Sequence, residues 1–284
     1  SDLTNNGRYP FCNSLLIDDE IRVIIDPASD ESELKALAKK KAVDVVINTH
    51  YHEDHFTFNH LFADADLYVH SDDAPCFQSI DRLLGAYGIV TPDEAQVWRQ
   101  ILTESFNYQE RTPNRELRDN ELLDFGQTKL RVIHTPGHTP GHCSFYSEAD
   151  GVLFMSDLDL TPFGPWYGDA VSDIPQTIAS LKKLQDIPAD IYVTSHDMGV
   201  LTGDITDLAA AYLNVIYERE EKIVAFLDRP RTLDEIAGQW FIYKKPRQPE
   251  FFYLFGERGM AQKHLDYLVQ QGRVVREDEK YLLI

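Results

Sequence analysis

The sequence predicts an α/β fold with a small second domain at its C-terminal end, and three observations lead there. Short apolar runs alternate with segments of helical spacing along the first two thirds of the chain. Histidines and aspartates gather where several of those runs give out into loops. Near residue 204 the charge pattern changes: residues 205–284 hold 12 Lys+Arg against 13 Asp+Glu, so nearly all of the net charge of −20 falls on the first 204.

Each element has its own warrant. "FCNSLLI" and "IRVIIDP" read as adjacent strands joined at "DDE" (18–20). "DESELKALAKKK" (30–41) reads as a helix with Asp30 as N-cap. "VDVVINT" is apolar on both faces, as a buried strand is, and "DLYVH" (66–70) is a further strand. Residues 71–115 break the rhythm with helical patterns carrying Val97, Ile101 and Phe106, and read as an inserted helical lobe. Strands resume at "KLRVIHT", "HCSFYSE" and "GVLFMSD", followed by a helix over 173–187 and a strand "DIYVTSH". The tail reads as a long helix from 206, a short helix capped by Thr232, a helix from "MAQKHL", and two strands around an "EDE" turn. Three helices and a β-wing form a winged-helix-like pattern.

Composition narrows the function. A hydrophobic fraction of 43% in 284 residues suffices for a sizeable core. The acidic surface repels polyanions, which argues against nucleic acid as a partner. Cys12, Cys76 and Cys143 are far apart and odd in number, so neither a disulfide scaffold nor a cysteine metal site is expected. No apolar run is long enough to span a membrane, and no signal peptide opens the chain, which begins at Ser1 rather than Met. The expected location is cytoplasmic.

The chemistry concentrates in "THYHEDH" (49–55). Imidazole and carboxylate are good ligands for zinc and iron and poor choices for a core. His50 and His52, two apart on extended backbone, face the same way, while Asp54 and His55 follow on a turn. Further donors come in "HTPGHTPGH" (134–142), in "FMSDLDL" with Asp157 and in "YVTSHD" with His196. That is more N/O donors than one tetrahedral ion can take, whereas a pair about 3.5–4 Å apart that shares a carboxylate could use most of them.

"THYHEDH", "TPGHTPGH", "MSD" and "SH", in this order and spacing over about residues 10–200, resemble the metallo-β-lactamase superfamily. The resemblance implies an αββα sandwich with a dinuclear metal site: His50, His52 and His138 on one ion, Asp54, His55 and His196 on the other, and Asp157 bridging. Zinc is the expected metal, with iron and manganese open. The final motif departs from the superfamily's Pro-Gly-His-Gly, reading "TSHDMG". Asp157 stands where the best-known β-lactamases carry Cys, which points to the thioesterase, lactonase, phosphodiesterase and nuclease branches. The tail resembles that of a branch with a C-terminal winged-helix-like domain.

Other residues carry two readings each. Asp26, ending the second strand, either orients a ligand histidine or serves the strand alone. His142 is a substrate contact or packs behind the site, His134 is read as structural, and Asp159 as solvated. Tyr167, in the aromatic loop "TPFGPWYG", is expected to donate to a developing oxyanion or else to pack. Trp98, Tyr87 and Leu83–Leu84 line an apolar pocket or fill the insert. Cys143 is read as buried and inert.

The expected activity is a dinuclear metal-dependent hydrolase, with a metal-bound hydroxide attacking a small ester, thioester or lactone and Asp54 handling the proton. The alternative is phosphodiester or RNA cleavage at the same centre, followed by a mono-iron persulfide-type dioxygenase. The partner is a small-molecule substrate, with a homodimer contact open. The aromatic segment around Trp240, Phe241, Tyr243, Phe251, Phe252 and Tyr253, with Lys244, Lys245 and Arg247, is expected to pack near the mouth of the metal site.

Overall fold

The computed structural model describes residues 7–284; the N-terminal boundary expected at Ser1 lies outside them. Strands β1 (Leu15–Ile17) and β2 (Val23–Ile25) pair antiparallel. Helix α1 (Glu31–Lys39) leads to β3 (Val45–Ile47), the short helix α2 (Glu53–Phe56) and β4 (Asp66–His70). Helices α3 (Ala74–Gln78), α4 (Ile80–Tyr87) and α5 (Pro92–Gln100) form the insert, which ends in one π-helical turn before β5 (Arg115–Leu117). These strands make one sheet in the order β1-β2-β3-β4-β5.

The second sheet uses β6 (Leu122–Asp124), β7 (Lys129–His134), β8 (Cys143–Ser147) and β9 (Val152–Ser156). After helix α6 (Ile174–Gln185) it adds β10 (Ile191–Thr194) and β11 (Val200–Thr202), in the order β11-β10-β9-β8-β7-β6. Three apolar layers define how the sheets stack. Val23, Ile25, Val45 and Ile47 of the first sheet meet Val132, Phe145 and Phe154 of the second. The alternate residues Ile24, Val46, Leu67 and Val69 face the insert helices. Leu153, Met155 and Tyr192 face α6. The result is helix, sheet, sheet, helix, the αββα order.

Asp30 and Asp173 cap α1 and α6 as their side chains allow, each accepting from the amide three residues on. In the insert, Val97 is exposed and the neighbouring Trp98 is the buried residue. Three short strands were illegible: β5, β6 and β11 have three residues each and no clean alternation.

Helix α7 (Thr206–Phe226) opens the tail, but its first half belongs to the sandwich: Ala209 and Tyr212 pack with α6, while Ile223 packs with the tail. Strand β12 (Arg231–Thr232), helix α8 (Leu233–Ala237) with a complete Thr232–Glu235 capping box, helix α9 (Glu250–Gln270), and strands β13 (Val274–Glu277) and β14 (Lys280–Leu283) follow. β12 and β13 both pair antiparallel with β14. The sequence placed the start of α9 near Met260, but the helix begins at Glu250 and takes in Gly256 and Gly259, where another chain segment comes close. A Cβ on Gly259 would stand 2.0 Å from the Gly168 carbonyl oxygen, and one on Gly256 2.6 Å from the Tyr243 hydroxyl.

Gly259→Val therefore forces α9 away from the loop after β9. Overpacking of this kind costs about 1–3 kcal/mol, and thermal unfolding should show a clear fall in Tm. An unchanged Tm would mean that the two segments do not depend on that contact.

Candidate metal centre

The seven donors predicted from the sequence come together at one edge of the sandwich. His50 and His52 follow β3, and α2 carries Asp54 and His55. His138 sits in the β7–β8 turn, Asp157 follows β9 and His196 follows β10. Each lies beyond the C-terminal end of a strand, where the loops of both sheets meet. The donor atoms fall into two groups, His50, His52, His138 and Asp157 in one and Asp54, His55 and His196 in the other. Asp157 faces both. Its Oδ2 lies 3.4 Å from His138 Nε2 and 3.5 Å from His196 Nε2, and its Oδ1 3.0 Å from His55 Nε2. Asp54 Oδ2 is 3.5 Å from His196 Nε2.

The hydrogen bonds fix which nitrogen of each imidazole faces inward. Thr49 donates its hydroxyl to Asp26 Oδ2 at 2.8 Å, so at 2.9 Å its oxygen can only accept from His50 Nδ1. His55 Nδ1 donates to Asp26 Oδ2 (2.9 Å), His138 Nδ1 to the Trp166 carbonyl (2.9 Å) and His196 Nδ1 to the Gly7 carbonyl (2.5 Å). His52 is turned the other way, Nε2 donating to Asp169 Oδ2 at 2.9 Å. When neutral, each of the five rings therefore presents a lone pair to the centre: Nδ1 from His52 and Nε2 from the rest. His50 Nε2 stands 3.1 Å from His52 Nδ1 and 3.2 Å from His138 Nε2. Lone pairs that close repel unless a cation lies between them. These separations are near the edge of about 3.3 Å expected for a tetrahedron with bonds of 2.0–2.1 Å. Asp157 Oδ1 and His55 Nε2, buried and 3.0 Å apart, have no hydrogen-bond partner beyond each other among the described residues. The donor set thus fits two cations of the zinc or iron type.

The supporting groups sort the remaining candidates. Asp26 is fully buried and orients His55 directly and His50 through Thr49. His142 packs behind the centre, its Nε2 accepting from the Asp157 amide (3.3 Å). His134 stacks on His70 at 4.0 Å, away from the site. Cys143 is buried, and burial drives its thiol pKa up. Two expectations are corrected. Tyr167 is fully buried, and its hydroxyl is held by His264 (2.9 Å) and Arg219 (3.1 Å), so it offers nothing to an oxyanion. Asp159 is not freely solvated but lines the cavity, where burial pushes its pKa up to about 7. Asp169 was missed. It is buried, accepts from both His52 and Tyr51 (2.6 Å), and sits in an irregular loop with no apolar run to mark it.

A cavity of about 450 Å³ opens onto His52, Asp54, His138, Asp157 and His196. The insert contributes Tyr87 and Trp98, while Leu83 and Leu84 stay in the core. The tail contributes Tyr243, Arg247, Phe252, Tyr253 and Phe255, so the aromatic segment does reach the mouth of the site.

With the fold and the donors in place, the comparisons with known proteins agree. The family model described as the metallo-beta-lactamase superfamily matches residues 7–196. This chain belongs to that superfamily. It is 30% identical over 210 residues to a hydroxyacylglutathione hydrolase of Synechococcus sp., covering 69% of this chain and 70% of the relative. A hydroxyacylglutathione hydrolase of Thermosynechococcus vestitus is 29% identical over 176 residues, 60% of this chain; the match spans only 56% of that relative. Among solved structures, a metallo-beta-lactamase family protein from Thermus thermophilus aligns with TM-score 0.77 and 24% identity, over 96% of this chain and 94% of that one. A further structure, solved in a di-iron-bound form, aligns with TM-score 0.51 and 27% identity, over 67% and 89%.

Asp169→Asn keeps the shape of the carboxylate and removes its charge. Loss of such a backing group weakens metal binding about 10–100-fold, and a chelator-competition titration with zinc should show at least the lower figure. Equal affinity would assign Asp169 a purely structural role.

Proton competition gives a second expectation. Burial pulls the pKa of His52 and His196 down, but Asp169 and Asp157 respectively more than reverse this, to about 9 and about 10. In chelated protein these rings hold a proton at neutral pH that a metal must displace. Apparent zinc affinity should therefore rise from pH 6.5 to 9, by up to about tenfold per pH unit for each proton released. A flat profile would show both rings already neutral.

Proposed function

We propose that this metal-dependent hydrolase cleaves a thioester, with esters and lactones as related acyl substrates. The observation that carries the reading is Asp157 standing between two groups of inward-facing donors at the floor of a cavity. Six of those donors, taken three and three, would hold the two ions, and Asp157 would be shared. Two divalent ions, zinc or iron, would supply Lewis acidity and a water acidified toward neutrality. The hydroxyacylglutathione hydrolases among the relatives support a thioester over other acyl bonds.

The chain's own residues do the rest. Asp54 lines the cavity and is the group placed to take a proton from the attacking water and return it to the departing thiolate. Trp166, its ring 5.1 Å from that of His52, and Phe163 keep bulk water off the floor. Phosphodiester cleavage is less well served: among the described residues lining the cavity, Arg247 is the one Lys or Arg, against six carboxylates. A mono-iron centre would leave Asp54, His55 and His196 without a task. The tail, read here as winged-helix-like, serves as a cap on the cavity.

The test is metal analysis beside a panel of thioester, lactone, phosphodiester and β-lactam substrates. Two equivalents of metal and preferred thioester turnover are expected. Asp157→Ala should lose at least one equivalent and nearly all activity. Asp54→Asn should hold the ion on its side more weakly and, at saturating metal, lose about a hundredfold in kcat. Preferred phosphodiester turnover, or full activity with one equivalent, would overturn the reading.

A further inference from the structure

The walls of the cavity are built for a substrate unlike the small hydroxyacyl group in the relatives' names. Trp98 stands at the centre of one wall, its ring 5.7 Å from Tyr87, 5.8 Å from Phe252 and 5.1 Å from Phe255. Phe252 and Phe255 are only half-buried, so their rings present apolar surface to the cavity. Groups that could have gripped a polar body are engaged elsewhere. The hydroxyls of Tyr9 and Tyr87 both donate to Glu53, and that of Tyr243 receives the Trp166 indole N–H at 3.3 Å. On this wall, Trp98, Phe252 and Phe255 present aromatic carbon to a ligand. Such surface, unfilled beside a reaction centre, favours an apolar body of matching size.

Charge marks the other end. Among the described residues that line the cavity, every charged one other than Arg247 and the histidines is a carboxylate. Arg247 is exposed at the mouth, its guanidinium 5.6 Å from the Tyr243 ring centre and 5.7 Å from that of Tyr253. Two rings hold it in place, and no carboxylate among the described residues lies within ion-pair distance of it. Lys244 and Lys245 sit exposed in the same loop. A guanidinium held over two rings without an anionic partner is placed to receive one from the ligand.

We infer that the substrate is a thioester with a bulky apolar acyl group, aromatic or medium-chain aliphatic, held against Trp98 and Phe252, on a thiol carrier whose anionic group meets Arg247. This rests on the acyl-transfer reading above and specifies it. A phosphorylated thiol and a carboxylated one share the needed chemistry.

The experiment uses the full-length, metal-loaded chain and acetyl, hydroxyacyl, hexanoyl and phenylacetyl thioesters. Each acyl group is tested on coenzyme A, glutathione and the neutral thiol N-acetylcysteamine. On any one carrier, kcat/KM should rise at least tenfold from acetyl to hexanoyl or phenylacetyl, with hydroxyacyl near acetyl, and Trp98→Ala should abolish that rise. Arg247→Gln should lose about tenfold more on the anionic carriers than on the neutral one, and the larger loss of the two shows which anion it meets. Non-hydrolysable thioether analogues give a readout apart from turnover: on the same metal-loaded chain, calorimetry should find the hexanoyl analogue at least tenfold tighter than the methyl one. Hydrolysis of no thioester at all would sink the acyl-transfer reading while the calorimetry still decides this one. A flat or inverted dependence on acyl size in binding, or an equal Arg247→Gln loss on all three carriers, would overturn the inference.

Discussion

The buried carboxylate of Asp26 is the fixed point of the centre. It closes β2, and its two oxygens accept from the Thr49 amide, the Thr49 hydroxyl and His55 Nδ1, all within 2.9 Å. Through Thr49 it also sets the tautomer of His50, and Thr49 in turn accepts from Ser156 of the opposite sheet at 2.8 Å. One side chain thus ties the ends of three strands across both sheets and aims a donor into each ligand group. Asp26 and Ser156 both adopt positive φ, 50° and 54°. Left-handed backbone at a residue other than glycine costs about 1–3 kcal/mol, and it persists where the surroundings impose it. Here the hydrogen bonds to Asp26 and from Ser156 do so.

That arrangement explains why the donors are acceptable in a dry setting. A buried imidazole or carboxylate is costly unless its polar atoms are matched. Each of the five rings has its outer N–H matched by a carboxylate, hydroxyl or backbone carbonyl, so the mismatch is confined to the inner face. There, lone pairs and carboxylate oxygens confront one another, and the proposed pair of cations would turn that repulsion into bonding. The fold supplies the outer partners, and bound metal would complete the inner ones.

Much of this was legible in the sequence because it is written in local patterns. Apolar runs ending in His or Asp mark buried strands that meet at an edge, and all seven donors lie within such runs or just beyond them. What stayed illegible depends on distant contacts. Asp169 is one acidic residue in an irregular loop until the fold brings His52 and Tyr51 against it. Tyr167 resembled a site residue by position, two after Pro165 in a glycine-bounded aromatic loop. Only the tail decides that its hydroxyl turns toward Arg219 and His264. The early start of α9 was hidden for a related reason: its two glycines look like interruptions, yet they admit Gly168 and Tyr243.

The loop after β9 is therefore the joint through which the tail acts on the centre. Arg219 of α7, buried, donates to the carbonyls of Phe163 and Pro165 and lies 4.7 Å from the Phe163 ring centre. His264 of α9 holds Tyr167, and Gly259 lies against Gly168. The same loop gives Trp166 O to His138 and the Asp169 carboxylate to His52, two of the five backing partners. A segment between two prolines and two glycines has little helical or strand structure of its own to hold it. Its shape, and with it the orientation of two donors, comes from helices that the chain supplies at least fifty residues later. The tail is then more than a cover for the mouth. Removing it would take away the cavity wall and also release His52 and His138 from the groups that aim them, so capping and metal binding are coupled through one loop.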